Sequence, residues 1–185
     1  AVAREMDTRV AHWAAGHPLL QAKRRGTSGP VALVDSTANV LMTAQVLHQM
    51  GERPFDERMA LTGGSDKQLF SRMARKGFRF AWSEEALVTE LIPASRVTAK
   101  WLLMRGYRLG MTDMMVERFH RGRLRTLLIE APRIIAGFLV GTLGAAATLD
   151  RGKRVVRLGK LYRAIGKIAG IAGFRYEEYR KVHGA

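Results

Sequence analysis

Cysteine is absent from the 185 residues. That excludes disulfides, thiolate catalysis and zinc sites built on cysteine, and it suits a reducing compartment. The five histidines, His12, His17, His48, His120 and His183, fall at no metal-ligand spacing. The stretch GTSG at 26–29 lacks the Gly-Lys-Ser/Thr ending of a nucleotide-triphosphatase loop. No Ser-His-Asp set follows from spacing, and there is no internal repeat or low-complexity tract. The N-terminal AVAREMDTRV has no apolar core, so it is not a signal peptide. The chain opens on Ala1 rather than Met, which predicts a fragment or a processed chain.

Acidic side chains are also scarce. Lys and Arg number 31 and Asp and Glu 16, a net charge of +15. Residues 1–95 carry 12 basic and 10 acidic side chains, and residues 96–185 carry 19 and 6. The second half is therefore built to meet an anion, either nucleic acid or an anionic membrane surface. Its basic residues alternate with Leu, Ile, Val and Gly rather than with stacking aromatics. No helix-turn-helix or zinc-finger signature is present. The membrane surface is the preferred partner, and nucleic acid is not expected.

What is present has the texture of a mixed α/β segment followed by helices. A short helical piece is expected around Val10 to Trp13, then a basic Gly/Ser/Pro loop. Apolar and β-branched residues predict strands at 31–34, at 40–43, at 78–82 and at 87–91. AQVLHQMGE predicts a helix with Val46, Leu47 and Met50 on one side and Gly51 as its stop. Phe55 is the aromatic anchor of the loop that follows. From Asp66, helical spacing puts Leu69, Phe70 and Met73 inward and Lys67, Gln68, Arg72, Arg75 and Lys76 outward, with Gly77 just past the end.

After Pro93 the pattern is wholly helical, in one or two pieces, to about residue 133. Residues 134–149 carry no charge over 16 positions. A single crossing needs about 20 apolar residues, and this run has basic flanks on both sides, against the usual asymmetry. It predicts a helix or hairpin dipping into one leaflet, with a true span and a buried core helix as the alternatives. In 151–174, Val155, Leu158, Leu161, Tyr162, Ile165 and Ile168 fall at helical spacing among Arg154, Arg157, Lys160, Arg163 and Lys167. Such a basic amphipathic helix suits an anionic bilayer surface. The tail from Arg175 is charged and expected in water.

Asp66, behind Gly63 and Gly64, admits two readings. Asp and Ser are preferred N-caps, worth about 1 kcal/mol, so Asp66 or Ser65 can be a cap and nothing more. A carboxylate at a helix start can equally serve as a general base.

The ordered pieces are an Asn39-containing strand, Phe-Asp-Glu at 55–57 and Gly-Gly-x-Asp at 63–66 opening a helix. A glycine after the helix, an aromatic strand, a Glu-Ala pair at 85–86 and Pro-x-x-Arg-x-x-x-x-Trp at 93–101 follow. Together, over residues 30–110, they resemble the second half of the catalytic domain of inverting family-2 glycosyltransferases. Bacterial exopolysaccharide enzymes of the succinoglycan type are the nearest in pattern.

The resemblance implies an α/β chain: a partial GT-A (nucleotide-diphospho-sugar transferase) fold in 1–95, then a mostly helical, membrane-associating region in 96–185. It implies sugar transfer from a nucleotide-sugar donor to a polyprenyl-linked or other glycan acceptor, at the cytoplasmic face of the bacterial inner membrane. Asp66 matches the catalytic base, and Asn39, Gly64, Ser65, Arg96 and Trp101 match the substrate-binding region. Gly63 and Gly64 would let the acceptor approach the backbone. Ser65 stands where the family has Glu, and the Gln-x-x-Arg-Trp motif of processive members is missing, which implies single additions. The Asp-x-Asp metal motif is missing too, since Thr37 stands two residues after Asp35. Magnesium or manganese is thus expected for a full-length enzyme, with none bound by this chain, which lacks a nucleotide-binding half and is expected to be inactive alone. A non-catalytic membrane-surface module is the alternative function.

Overall fold

The computed structural model describes residues 2–6, 12–14, 17–21, 27–34 and 36–177. Val10, Asp35 and the tail from residue 178 lie outside the described residues. Among the described residues, four strands, β1 (Val2–Met6), β2 (Gly29–Val31), β3 (Phe80–Trp82) and β4 (Val88–Ile92), accompany five α-helices. The helices are α1 (Ala44–Gln49), α2 (Ser65–Arg75), α3 (Ala99–Arg121), α4 (Arg123–Ala146) and α5 (Arg151–Ala172).

The strands are fewer and shorter than a single α/β sheet requires. β1 runs parallel to β4, with Val2 opposite Val88 and Met6 opposite Ile92. β2 runs antiparallel to β3, with Gly29 opposite Trp82. These are two separate two-stranded pairs, so the sheet of the partial GT-A fold expected for 1–95 is not evidenced among the described residues. Residues 40–43 form no strand, because Thr43 caps α1 by accepting from the Val46 N–H at 3.4 Å. The strand expected at 78–82 starts two residues late. Phe78 and Gly77 are used to close α2, donating to the carbonyls of Met73 and Ala74 at 3.1 Å each, with Gly77 at φ +86°.

The apolar face of α2 is buried as its spacing requires. Leu69, Phe70 and Met73 join Met50, with Leu33, Val46 and Phe80 packed around them. Phe70 meets Phe80 edge to face, with ring centroids 6.1 Å apart. Two residues depart from expectation. Gln68 is buried rather than outward, and Phe55, expected as an anchor, is 40% exposed. Met59 and Thr62 of that loop are buried.

The predicted helical stretch divides at Gly122, whose φ of +76° ends α3 and starts α4. Thr98 caps α3 through the Trp101 N–H, and Asp150 caps α5 through the Lys153 N–H. α5 packs against both α3 and α4, which barely touch each other. Small residues make this possible. A Cβ at Gly110 would strike the Arg163 carbonyl, and one at Gly166 would strike the Tyr107 carbonyl. Gly137 and Gly141 of α4 lie against Ala164 and Leu161. These pairings make α3 parallel to α5 and α4 antiparallel to it.

The packed face of α5 is therefore Val155, Ala164, Gly166, Gly170 and Ile171. Of the bulky apolar set read from the sequence, Val155 alone is buried, and Ile165 and Ile168 are exposed. Close backbone approach selected the small residues and turned the large ones outward, as in helices that associate within lipid.

The uncharged run belongs to α4 and is not a core helix. Among residues 134–146, Ile134, Gly141 and Ala145 are buried, and they face α5. Leu124, Leu128, Ile135, Leu139 and Leu143 form an exposed stripe on the opposite side. At 24 residues α4 is long and apolar enough to cross a membrane, spanning about 36 Å at 1.5 Å per residue. Its first half nevertheless carries Arg123, Arg125, Glu130 and Arg133.

Candidate functional site

The start of α2 is built by a backbone that only glycine tolerates. Gly63 and Gly64 lie at φ +72° and +93°. Gly64 occupies the cap position and offers no side chain, so neither Ser65 nor Asp66 caps the helix. The space beside Gly64 is already taken by protein: a Cβ there would lie 3.1 Å from Met59 Cε and from Thr112 Cβ. The bend thus lets α3 approach α2.

The Asp66 carboxylate is held across the chain instead. Thr37 donates its backbone N–H at 3.1 Å and its hydroxyl at 3.0 Å, both to Oδ2. Oδ1 has a long contact of 3.5 Å with the Ser65 hydroxyl. One oxygen is fully engaged, which orients the group, and the other has capacity to accept a proton.

Asp66 lines a cavity of about 560 Å³ together with Gly64, Ser65, Arg96 and Trp101. Five of the six residues singled out from the sequence are thereby brought to one place. Arg96 reaches it from a 3-10 turn (Ala94–Arg96) between β4 and α3, and Trp101 from the first turn of α3. The Arg105 guanidinium lies 5.4 Å from the Trp101 ring centroid, a cation–π distance. Asn39 does not line the cavity; its Nδ2 donates to the Ala86 carbonyl at 2.6 Å. That bond ties the segment before α1 to the turn before β4.

The cavity also contains residues that the sequence did not single out as site residues. Lys67, Arg105, Arg108, Asp113 and Arg163 all line it. Asp113 of α3 accepts from Lys67 of α2 and, at 2.7 Å, from Arg163 of α5. This one carboxylate joins three helices. Arg108 is 3% exposed and donates through Nη1 to the Thr62 carbonyl at 3.4 Å, under the glycine bend. One signal was visible in advance: Asp113 is the single acid between Glu90 and Glu117, in a basic stretch. Nothing local predicts Arg163 or Thr37, whose partners lie 50 and 29 residues away.

Among the described residues no group of three or more His, Asp or Glu side chains is placed to hold a metal ion. The three carboxylates of the cavity, Asp66, Glu90 and Asp113, do not converge as ligands. A divalent cation is therefore not assigned to these residues.

Comparison with known proteins adds one relationship. No family model and no solved structure matches the chain. It is similar to the succinoglycan biosynthesis protein ExoM of Rhizobium meliloti (strain 1021), with 31% identity over 150 residues. The match takes in 77% of this chain and 46% of the relative, so the chain spans about half the length of the curated protein it matches. The chain is a distant homologue of a protein of bacterial exopolysaccharide biosynthesis.

Proposed function

We propose that this chain is the acceptor-side part of an inverting family-2 glycosyltransferase in cell-surface polysaccharide assembly. Residues 1–95 contribute the catalytic part and residues 96–185 the membrane-associating part. The observation that carries this reading is Asp66, oriented by Thr37 inside a cavity that also holds Ser65, Arg96 and Trp101. The similarity to a succinoglycan biosynthesis protein supports the reaction class.

In this reaction Asp66 Oδ1 takes the proton of an acceptor hydroxyl. The acceptor oxygen attacks the anomeric carbon of the donor sugar from the face opposite the leaving group. A glycosidic C–O bond forms, the C–O bond to the nucleotide diphosphate breaks, and the anomeric centre inverts. The donor and any divalent cation are assigned to no residue of this chain. The exposed stripe of α4 and the basic residues of α5 hold the site at the cytoplasmic surface of the inner membrane, where a lipid-linked acceptor resides.

The test is turnover by the full-length protein with a lipid-linked acceptor. Asp66→Asn is expected to lower kcat by roughly 10²–10⁴, the usual worth of a general base. Full turnover in Asp66→Asn would overturn the assignment. A second reading, a non-catalytic module that binds the membrane surface, is favoured by the α4 stripe alone. Absence of turnover in the wild-type full-length protein, with lipid binding intact, would select it.

A further inference from the structure

α5 brings positive charge to every level of α4. Along the antiparallel pair, Arg157 lies against Gly144, Lys160 and Ala164 lie against Gly137, and Lys167 pairs with Glu130. Two of these flanking cations are engaged, Arg163 by Asp113 and Lys167 by Glu130. Among the described residues, no hydrogen bond or ion pair engages the side chains of Lys153, Arg157 and Lys160. Two grooves run along this flank and meet at Val140. One, of about 300 Å³, is walled by Arg133, Lys160, Arg163 and Lys167, and three of these four are tied to carboxylates. The other, of about 440 Å³, sets Lys153 and Arg157 over Val140, Gly144 and Ala147 and is lined by no acid. Gly144 shapes it. A Cβ there would lie 3.0 Å from Arg157 Cδ, so the arginine stem crosses α4 at a position without a side chain. At its outer rim this groove opens on Leu139 and Leu143.

We propose that this second groove binds an anionic phospholipid of the bilayer, with its phosphate against Arg157 and Lys153 and the start of an acyl chain along Val140, Leu139 and Leu143. Two cations without a counter-charge, beside an apolar wall, match an amphiphile with an anionic head. A guanidinium holds phosphodiester oxygens through two parallel N–H bonds, a geometry that a lone ammonium does not reproduce. A groove of about 440 Å³ takes a phosphate and a short length of chain, not a whole lipid. The depth follows from α5, whose cations recur at 153, 157, 160, 163 and 167. Taking the helix pair across a membrane would bury them in hydrocarbon, which is costly. The pair therefore lies along the surface, with the outer stripe of α4 toward the acyl chains and the groove at headgroup level. The groove shares no lining residue with the Asp66 cavity, and its lipid is a component of the membrane, not a substrate. The proposal deepens the membrane-associating role of residues 96–185 and rests on that role, not on sugar transfer.

Flotation of the full-length protein with vesicles tests the site. The vesicles are phosphatidylcholine alone and phosphatidylcholine doped with phosphatidylglycerol, and tighter binding to the doped vesicles is expected. Arg157→Gln should weaken that binding by roughly tenfold to a hundredfold, the worth of a charge-assisted bond. Arg157→Lys should recover only part of the loss, because it keeps the charge and removes the fork. Lys160→Gln removes an equal charge from the same flank outside this groove, and should weaken binding by at most about fivefold, the diffuse worth of one cation near an anionic surface. Equal weakening by Arg157→Gln and Lys160→Gln, or full recovery in Arg157→Lys, would reduce the effect to diffuse charge and overturn the site. Titration with short-chain phosphatidylglycerol and with glycerol phosphate separates a lipid from a free phosphate ester. The lipid is expected to bind and the ester to leave it in place. Displacement by glycerol phosphate at equal affinity would overturn the lipid source. Flotation of the wild type with neither vesicle would overturn the membrane-associating role itself, whereas equal flotation with both would leave that role standing and overturn this site.

Discussion

Thr37 gives both its backbone N–H and its hydroxyl to one oxygen of Asp66, at 3.1 and 3.0 Å, across 29 residues of sequence. This bracket leaves the other oxygen with only the 3.5 Å contact from the Ser65 hydroxyl. Thr37 is a positioning residue in this arrangement. Thr37→Val keeps the backbone donor and removes the hydroxyl. The expected outcome is a kcat lower by about tenfold, equivalent to ~1.4 kcal/mol, with the acceptor KM little changed and Thr37→Ser restoring activity. A change confined to KM would contradict the positioning role.

Glu130 of α4 accepts from Lys167 of α5 at 2.6 Å and from Arg133 at 2.5 Å. The Glu130 and Lys167 side chains are 11% and 13% exposed. Removing one partner strands the other charge in a dry setting. Glu130→Gln is expected to destabilise the α4–α5 hairpin by roughly 1–3 kcal/mol. The double variant Glu130→Gln/Lys167→Met should cost less than the sum of the single ones, as read by thermal unfolding in detergent.

The glycines of α5 divide into two kinds. At Gly166 a Cβ would collide with the Tyr107 carbonyl, whereas at Gly159 it meets nothing within 4 Å. Gly166→Ala must push α3 and α5 apart and should cost about 1–3 kcal/mol or more. Gly159→Ala should raise stability by up to about 1 kcal/mol, because alanine is the better helix former. Melting temperatures that move together would contradict the packing described here.

His17 is buried, and its Nδ1 accepts from the Leu19 N–H at 3.2 Å. Burial lowers its pKa below the ordinary value. The unfolded chain therefore binds a proton that the folded one resists. Stability should be full above about pH 6.5 and fall as pH drops from there toward the lowered folded value. Melts between pH 7.5 and 5 should show this loss, and His17→Gln should flatten it.

Leu139 and Leu143 lie on the outer stripe of α4, 54% and 66% exposed. A glutamate on this face would carry charge into the acyl region and repel anionic headgroups. Leu139→Glu is expected to abolish or sharply reduce flotation with vesicles containing anionic lipid, while leaving the fold intact. Unchanged flotation would remove α4 from the membrane contact.

Several elements were legible in advance because their causes are local. α2 follows from a glycine bend, a 3.6-residue apolar stripe and a closing glycine at 77. The cavity residues Gly64, Ser65, Asp66, Arg96 and Trp101 sit within a turn or two of recognisable punctuation. Asn39 lies outside this cavity, and its partner, the Ala86 carbonyl, is 47 residues away, beyond any local pattern. Apolar alternation reports burial, not pairing, so it does not bound a strand: Phe78 alternates with Phe80 yet closes α2 through the Met73 carbonyl.

By itself, the sequence determined the charge asymmetry, the helical second half, the uncharged stretch of α4 and the position of Asp66 at a helix start. These depend on composition and on periods of a few residues. The tertiary structure alone decided that α5 lies between α3 and α4, that its glycines face inward, and that Asp113 joins α2, α3 and α5. It also decided that Thr37 orients Asp66 and that Arg163 enters the same cavity. These are meetings between residues far apart in the chain, governed by backbone approach and charge pairing, and no local pattern encodes them.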